Sequence, residues 1–156
     1  MNTEELIELE SYIGYLLIEA ENEDDGYSTL FESALEATKH DSAIGNFAVG
    51  WLYRSGGEGA VEIDLEKSKL YTKKAASLGH IEAMIEAEMY TENTVEIAAY
   101  MKIAIENLDE EIEMWSENLN CITEDFDEKE NIEFENKYRE LNEGYKNNKI
   151  VFCQPE

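Results

Sequence analysis

The chain has 156 residues, with 37 Asp+Glu against 12 Lys+Arg, and its formal net charge is −25 at pH 7. Such a surface repels nucleic acid, whose binders need a basic footprint to displace phosphate counterions, and it repels anionic membranes. An apolar fraction of 43% with 10% aromatic residues excludes a disordered chain, because that much apolar surface builds a core.

The expectation is one acidic globular domain over 1–156. Its charge either keeps it soluble or receives a basic protein. The first residues, Met1 to Leu6, carry no basic segment, and apolar runs such as 15–18 are far too short to span a bilayer. Cys121 and Cys153 lack CxxC spacing and read as reduced thiols. These features predict a cytoplasmic location. The one proline, Pro155, is next to last, so nothing inside the chain forbids helix.

Leu6, Leu9, Ile13, Leu16 and Ala20 predict a first helix over about 3–21, with Thr3 as N-cap and acids in its first turn. The acidic stretch 21–25 leads to a break at Gly26. Leu30, Phe31, Ala34, Leu35 and Thr38 form a second helical face. Asp41 can cap a third helix carrying Ile44, Phe47, Ala48, Trp51 and Leu52, and glycines at 56, 57 and 59 end it. A fourth helix runs over about 64–78 to Gly79. A shorter one covers about 81–90. The next carries Ile97, Ala98, Met101, Ala104 and Ile105. Ile112, Trp115, Leu119 and Ile122 mark a seventh, and Phe134, Tyr138, Leu141 and Tyr145 an eighth. The apolar tail Ile150-Val151-Phe152 either packs back or forms a short extended segment. Eight helices joined by short loops predict an all-α antiparallel array.

One stretch repeats a packing pattern. Val49-Gly50-Trp51-Leu52-Tyr53 is followed by Gly57, Gly59 and Asp64, then by Lys74-Ala75-Ala76-Ser77-Leu78-Gly79. This resembles the Sel-one-like repeat, a relative of the tetratricopeptide repeat. Here Ser68 replaces the family's usual Ala, and Tyr71-Thr72 its aromatic pair. Gly50, with Ala75 and Ala76 opposite, lets two helices approach closely. The loop glycines and Gly79 supply positive φ, and Tyr53 and Tyr71 wedge between hairpins. Weaker echoes lie on each side, at Ile13-Gly14-Tyr15 and over 100–105. The resemblance implies a short α/α superhelix of about four antiparallel hairpins. These are a degenerate hairpin over 1–40, the best-matching repeat over 41–80, a shortened repeat over 81–108, and a divergent C-terminal cap over 109–156.

Chemical constellations are weak. Glu21, Glu23, Asp25, Gly26 and Glu32 have EF-hand-like spacing. However, Asp rather than Glu normally opens that loop, and the eighth position, Ser28, should be apolar. A plain acidic turn is the better reading. His40 and His80 close equivalent turns, and the repeat pattern accounts for His80 structurally. Neither cysteine has a histidine at a useful spacing. No nucleophile, phosphate-loop or metalloprotease motif occurs. The expectation is a non-enzyme with no cofactor and no metal.

The distribution of charge says more than its total. No Lys or Arg precedes Lys39, while nine acids precede Gly26; from 82 to 135 only Lys102 and Lys129 oppose eighteen acids. The densest runs supply the candidate partner-binding residues Asp109, Glu110, Glu111, Glu113, Glu117, Glu124, Asp125, Asp127, Glu128 and Glu130. A solvated helix face is one reading. The other is a patch for a basic protein, since like charges at i, i+4 cost helix stability. Small size, acidity and a scaffold without catalytic groups point to a bacterial immunity protein or antitoxin that occludes a basic toxin domain such as a nuclease. An adaptor or scaffold is the alternative, and a metal-regulated module or enzyme built on the Glu21 to Glu32 loop is a third. Oligomeric state is not legible.

Overall fold

The computed structural model describes residues 1–108 and 113–153, with side chains as far as Asn147. The eight expected helices are present: α1 Thr3–Glu19, α2 Gly26–Thr38, α3 Ala43–Ser55, α4 Leu65–Ser77, α5 Ile81–Ile85, α6 Thr94–Asn107, α7 Glu113–Glu124 and α8 Glu128–Cys153. No strand occurs among the described residues, and no described helix is long and apolar enough to cross a membrane. The chain gathers into two compact units, Met1–Leu78 and Gly79–Glu156.

In the first unit, α1 packs on α2 and α3, α2 on α3, and α3 on α4. Ile13, Leu16, Leu30, Ala34, Ala37, Ala48, Val49 and Leu52 are the buried core, the inward stripes anticipated from their spacing. Each fully buried Leu or Ile contributes about 1.5–3 kcal/mol through area removed from water. The closest helix approach is at Gly50. A Cβ there would lie 2.6 Å from Thr72 Oγ1 and 3.0 Å from the Thr72 backbone nitrogen. Ala75 and Ala76 are buried further along α4. Tyr53 stacks on Tyr71 at 5.9 Å and meets Phe31 edge-on at 5.5 Å, so these rings join α2, α3 and α4.

Several helix ends differ from expectation. Asn2, not Thr3, caps α1, forming a reciprocal box with Glu5 at 2.9 and 2.8 Å. Ser42, fully buried, caps α3 through a 3.0 Å bond from the Gly45 N–H. Asp41 instead adopts φ 53° and reaches Lys74 at 2.9 Å. The break expected at Gly26 is present, and Gly26 is itself the first residue of α2, where a Cβ would lie 2.1 Å from the Ala20 carbonyl oxygen. Close approach, not turn geometry, requires glycine there. Asp64, where the fourth helix was expected to start, caps α4, and Gly79 follows α4 with φ 100°.

In the second unit, α6 is the centre, and α5, α7 and α8 all pack on it. The stretch read as one helix over 81–90 is α5 followed by a 3-10 turn, Ala87–Met89. The Tyr90 hydroxyl donates to the Ala83 carbonyl at 3.0 Å, tying the end of this turn back to α5. Val95, Ala98, Ala99 and Phe134 form a buried cluster, with Leu119, Ile122, Phe126, Tyr138 and Leu141 against it. The backbone of 150–153 continues α8 as helix, so the tail is not extended. Ile112, expected on the seventh helix, lies outside the described residues.

Candidate functional site

Seven of the candidate acids lie on α7, on α8 or in the turn between them. Asp109, Glu110 and Glu111 lie outside the described residues. Glu113, Glu117 and Glu124 are exposed. At 100° per residue, their spacing of four and seven puts all three on one face of α7. The opposite face carries Leu119 and Ile122 into the core. Asp125 and Glu128 are exposed on either side of the turn.

Asp127 and Glu130 have a different job. The Glu130 N–H donates to Asp127 Oδ1 at 2.8 Å, and the Asp127 N–H donates to Glu130 Oε2 at 3.0 Å. This is a complete capping box, Asp-Glu-Lys-Glu, at the start of α8. The signal was present in the sequence as an acid three residues before Glu130, but the charge run hid it. Two of the ten candidate acids therefore hold a helix end. Asn131 supports the same turn by donating to the carbonyls of Phe126 and Asp127.

Nearby cations do not neutralise this surface. Lys102 sits 4.0 Å from the Tyr138 ring centre and 5.5 Å from Phe134, with Glu135 at 3.9 Å. Lys129 faces Glu133 at 3.6 Å, and Lys137 faces Glu140 at 3.7 Å. Among the described residues, no cation pairs with Glu113, Glu117, Glu124, Asp125 or Glu128. Tyr138 donates to the Glu106 carboxylate at 2.5 Å, which pushes its phenol up to about 12. Ile132, which sequence reasoning passed over, is 58% exposed. It lies in an open depression lined also by Asp127, Glu128, Lys129 and Glu133. An isolated exposed isoleucine on the outer face of a helix leaves no distinctive periodic mark.

The other constellations are structural. The loop of about 12 residues that an EF-hand requires has no room, because Ala20–Asn22 forms a 3-10 turn and α2 begins at Gly26. Glu23 receives the Tyr15 hydroxyl at 2.5 Å. No three His, Cys, Asp or Glu side chains converge for a metal among the described residues. His80 is mostly buried and caps α5, its Nδ1 accepting from the Ala83 N–H at 3.4 Å. Burial lowers its pKa, so the ring is neutral and its 3.3 Å approach to Glu82 is not an ion pair near neutral pH. His40 and Cys121 are exposed, and the Cys153 side chain lies outside the described residues.

No protein-family model matches the chain, and no curated protein matches it. Among solved structures, it is similar to a protective antigen of uropathogenic Escherichia coli that displays an SLR fold, the Sel-one-like repeat fold. That likeness has a TM-score of 0.60 at 16% identity, and covers 86% of this chain but 30% of the other. The close approach at Gly50, the positive-φ loop glycines and the Tyr53–Tyr71 stack are the parts of this fold that the sequence had marked. The chain has the SLR solenoid fold.

Proposed function

We propose that the chain is a non-enzymatic protein-binding module that docks and occludes a basic partner, as a bacterial immunity protein or antitoxin would occlude a toxin domain such as a nuclease. The observation that carries this reading is the uncompensated acidic surface on α7 and its junction with α8. Glu113, Glu117 and Glu124 share one helix face, and Asp125 and Glu128 flank the turn. Ile132 supplies an apolar contact beside them. Complementary fields speed encounter, while a desolvated apolar anchor slows release. The second unit holds 21 acids against six basic residues, the first 16 against six.

An adaptor or scaffold is the second reading. The observation favouring it is that acids also crowd α1, in the other unit, so two partners could be held together.

The test is capture of proteins from the source cytoplasm on the immobilised full chain, over a salt series and beside the Asp125→Asn/Glu128→Gln variant. The reading predicts a basic protein that elutes as salt rises from about 0.1 to 0.5 M and is captured less by the variant. A partner indifferent to both would contradict it. Capture of two proteins, with only one sensitive to the variant, would favour the adaptor.

A further inference from the structure

Among the described residues, nothing covers the outer face of the first helix. Ile18 is 75% exposed, Ile7 and Tyr15 are each 47% exposed, and Tyr12 is 45% exposed. Single exposed apolar residues are ordinary, but these share a sector. At 100° per residue, Ile7, Tyr15 and Ile18 fall within about a quarter of the helix circumference, with Tyr12 next to them. The strip from Ile7 to Ile18 is about 16 Å long, roughly three helical turns. Tyr12 and Tyr15 stack at 6.3 Å with 14° between ring planes, and Glu23 holds the Tyr15 hydroxyl. Two rings already fixed lose little rotamer freedom on binding.

The charge beside the strip selects the occupant. On the helix wheel Glu8 and Glu19 lie between Tyr15 and Tyr12, Glu4 lies in the sector itself one turn before Ile7, and α1 contains no Lys or Arg. Pairing two copies through this face would set acids against acids, and an anionic bilayer would be repelled likewise. A helix with an apolar stripe and flanking lysines or arginines satisfies both features. We propose that the outer face of α1 is a docking site for a basic amphipathic helix of a partner protein. This rests on the reading of the chain as a binding module for basic proteins, but not on the α7–α8 surface.

The full chain is titrated calorimetrically with a designed leucine–lysine helix of about 14 residues, about four turns, its leucines on one face. A peptide of the same composition with scrambled leucines is the control. The amphipathic peptide should bind about tenfold more tightly than the scrambled one, a difference of about 1.4 kcal/mol. Ile7→Ser with Ile18→Ser should remove that advantage. Glu4→Gln with Glu8→Gln should flatten the salt dependence while leaving the α1 fold intact, since both side chains are exposed. Leu70→Ser, at a leucine 68% exposed on α4, and the Asp125→Asn/Glu128→Gln pair should change nothing.

Equal binding of the two peptides, or full affinity in the α1 variants, would overturn the proposal. Loss confined to the Asp125→Asn/Glu128→Gln pair would overturn it while leaving the α7–α8 surface standing, and no binding at all would count against both. Self-association in sedimentation that disappears on Ile18→Ser would assign the face to a second copy and overturn it too.

Discussion

Asp127 and Glu130 each accept the other's backbone N–H, at 2.8 and 3.0 Å, and so close the first turn of α8. Charge and capping are thus mixed in one acidic run. Asp127→Ala should cost about 1 kcal/mol of stability, the usual loss of an N-cap. Asp125→Asn and Glu128→Gln should cost almost nothing. Urea denaturation of the three variants checks this, and only the latter two are clean probes of binding.

Gly50 is the point of closest contact between α3 and α4. Gly50→Ala should destabilise the chain by about 1–3 kcal/mol, because the added methyl meets Thr72 at overpacked distances. Adding Thr72→Ala should recover only part of the loss, since it removes the hydroxyl at 2.6 Å but not the backbone nitrogen at 3.0 Å. A double-mutant cycle measures the coupling.

Glu10 is half-buried, and burial raises its pKa from the ordinary 4.5, with the Ser42 hydroxyl working in the opposite direction. The folded state then binds this proton more tightly than the unfolded state. Its stabilising contribution is complete below the ordinary value and is lost as pH rises through the folded value. Glu10→Gln should therefore raise Tm at neutral pH, and the gain should vanish below about pH 4. Thermal melts of both proteins across that window decide it.

A net charge of −25 opposes compactness through self-repulsion. Raising NaCl from about 0.05 to 0.5 M shortens the screening length from over 10 Å to about 4 Å. Tm should rise across this range. A flat or falling Tm would mean that the acids are not repelling one another in the folded chain.

The helical stripes were legible because burial imposes a period. Ile13 and Leu16, or Phe134 and Tyr145, announce a face by spacing alone. Gly50 was legible for the same reason, as the small residue in a packing pattern. Gly26 marked the break between the first two helices, but glycine in sequence does not distinguish a left-handed turn from a close approach, and only the Ala20 carbonyl reveals which applies. The caps at Asn2 and Ser42 were each displaced by one residue, since neighbouring polar side chains compete for the same N–H groups. At the candidate site, composition pointed to the acids but not to the division of labour between Asp127 with Glu130 and the free Asp125 and Glu128. Ile132 was invisible because a single exposed residue leaves no pattern, and the outer strip of α1 was passed over because spacing alone does not say which of two apolar faces of a helix is buried.

The central claim is that the acidic α7–α8 surface steers a basic protein onto this chain. Its most direct test is the association rate of the captured partner, measured by stopped flow against ionic strength, for the native chain and for Glu124→Gln/Asp125→Asn/Glu128→Gln. The account predicts a rate that falls steeply with salt and drops several-fold in the variant at low salt, with dissociation changed less. An association rate that ignores both salt and the three substitutions would contradict it.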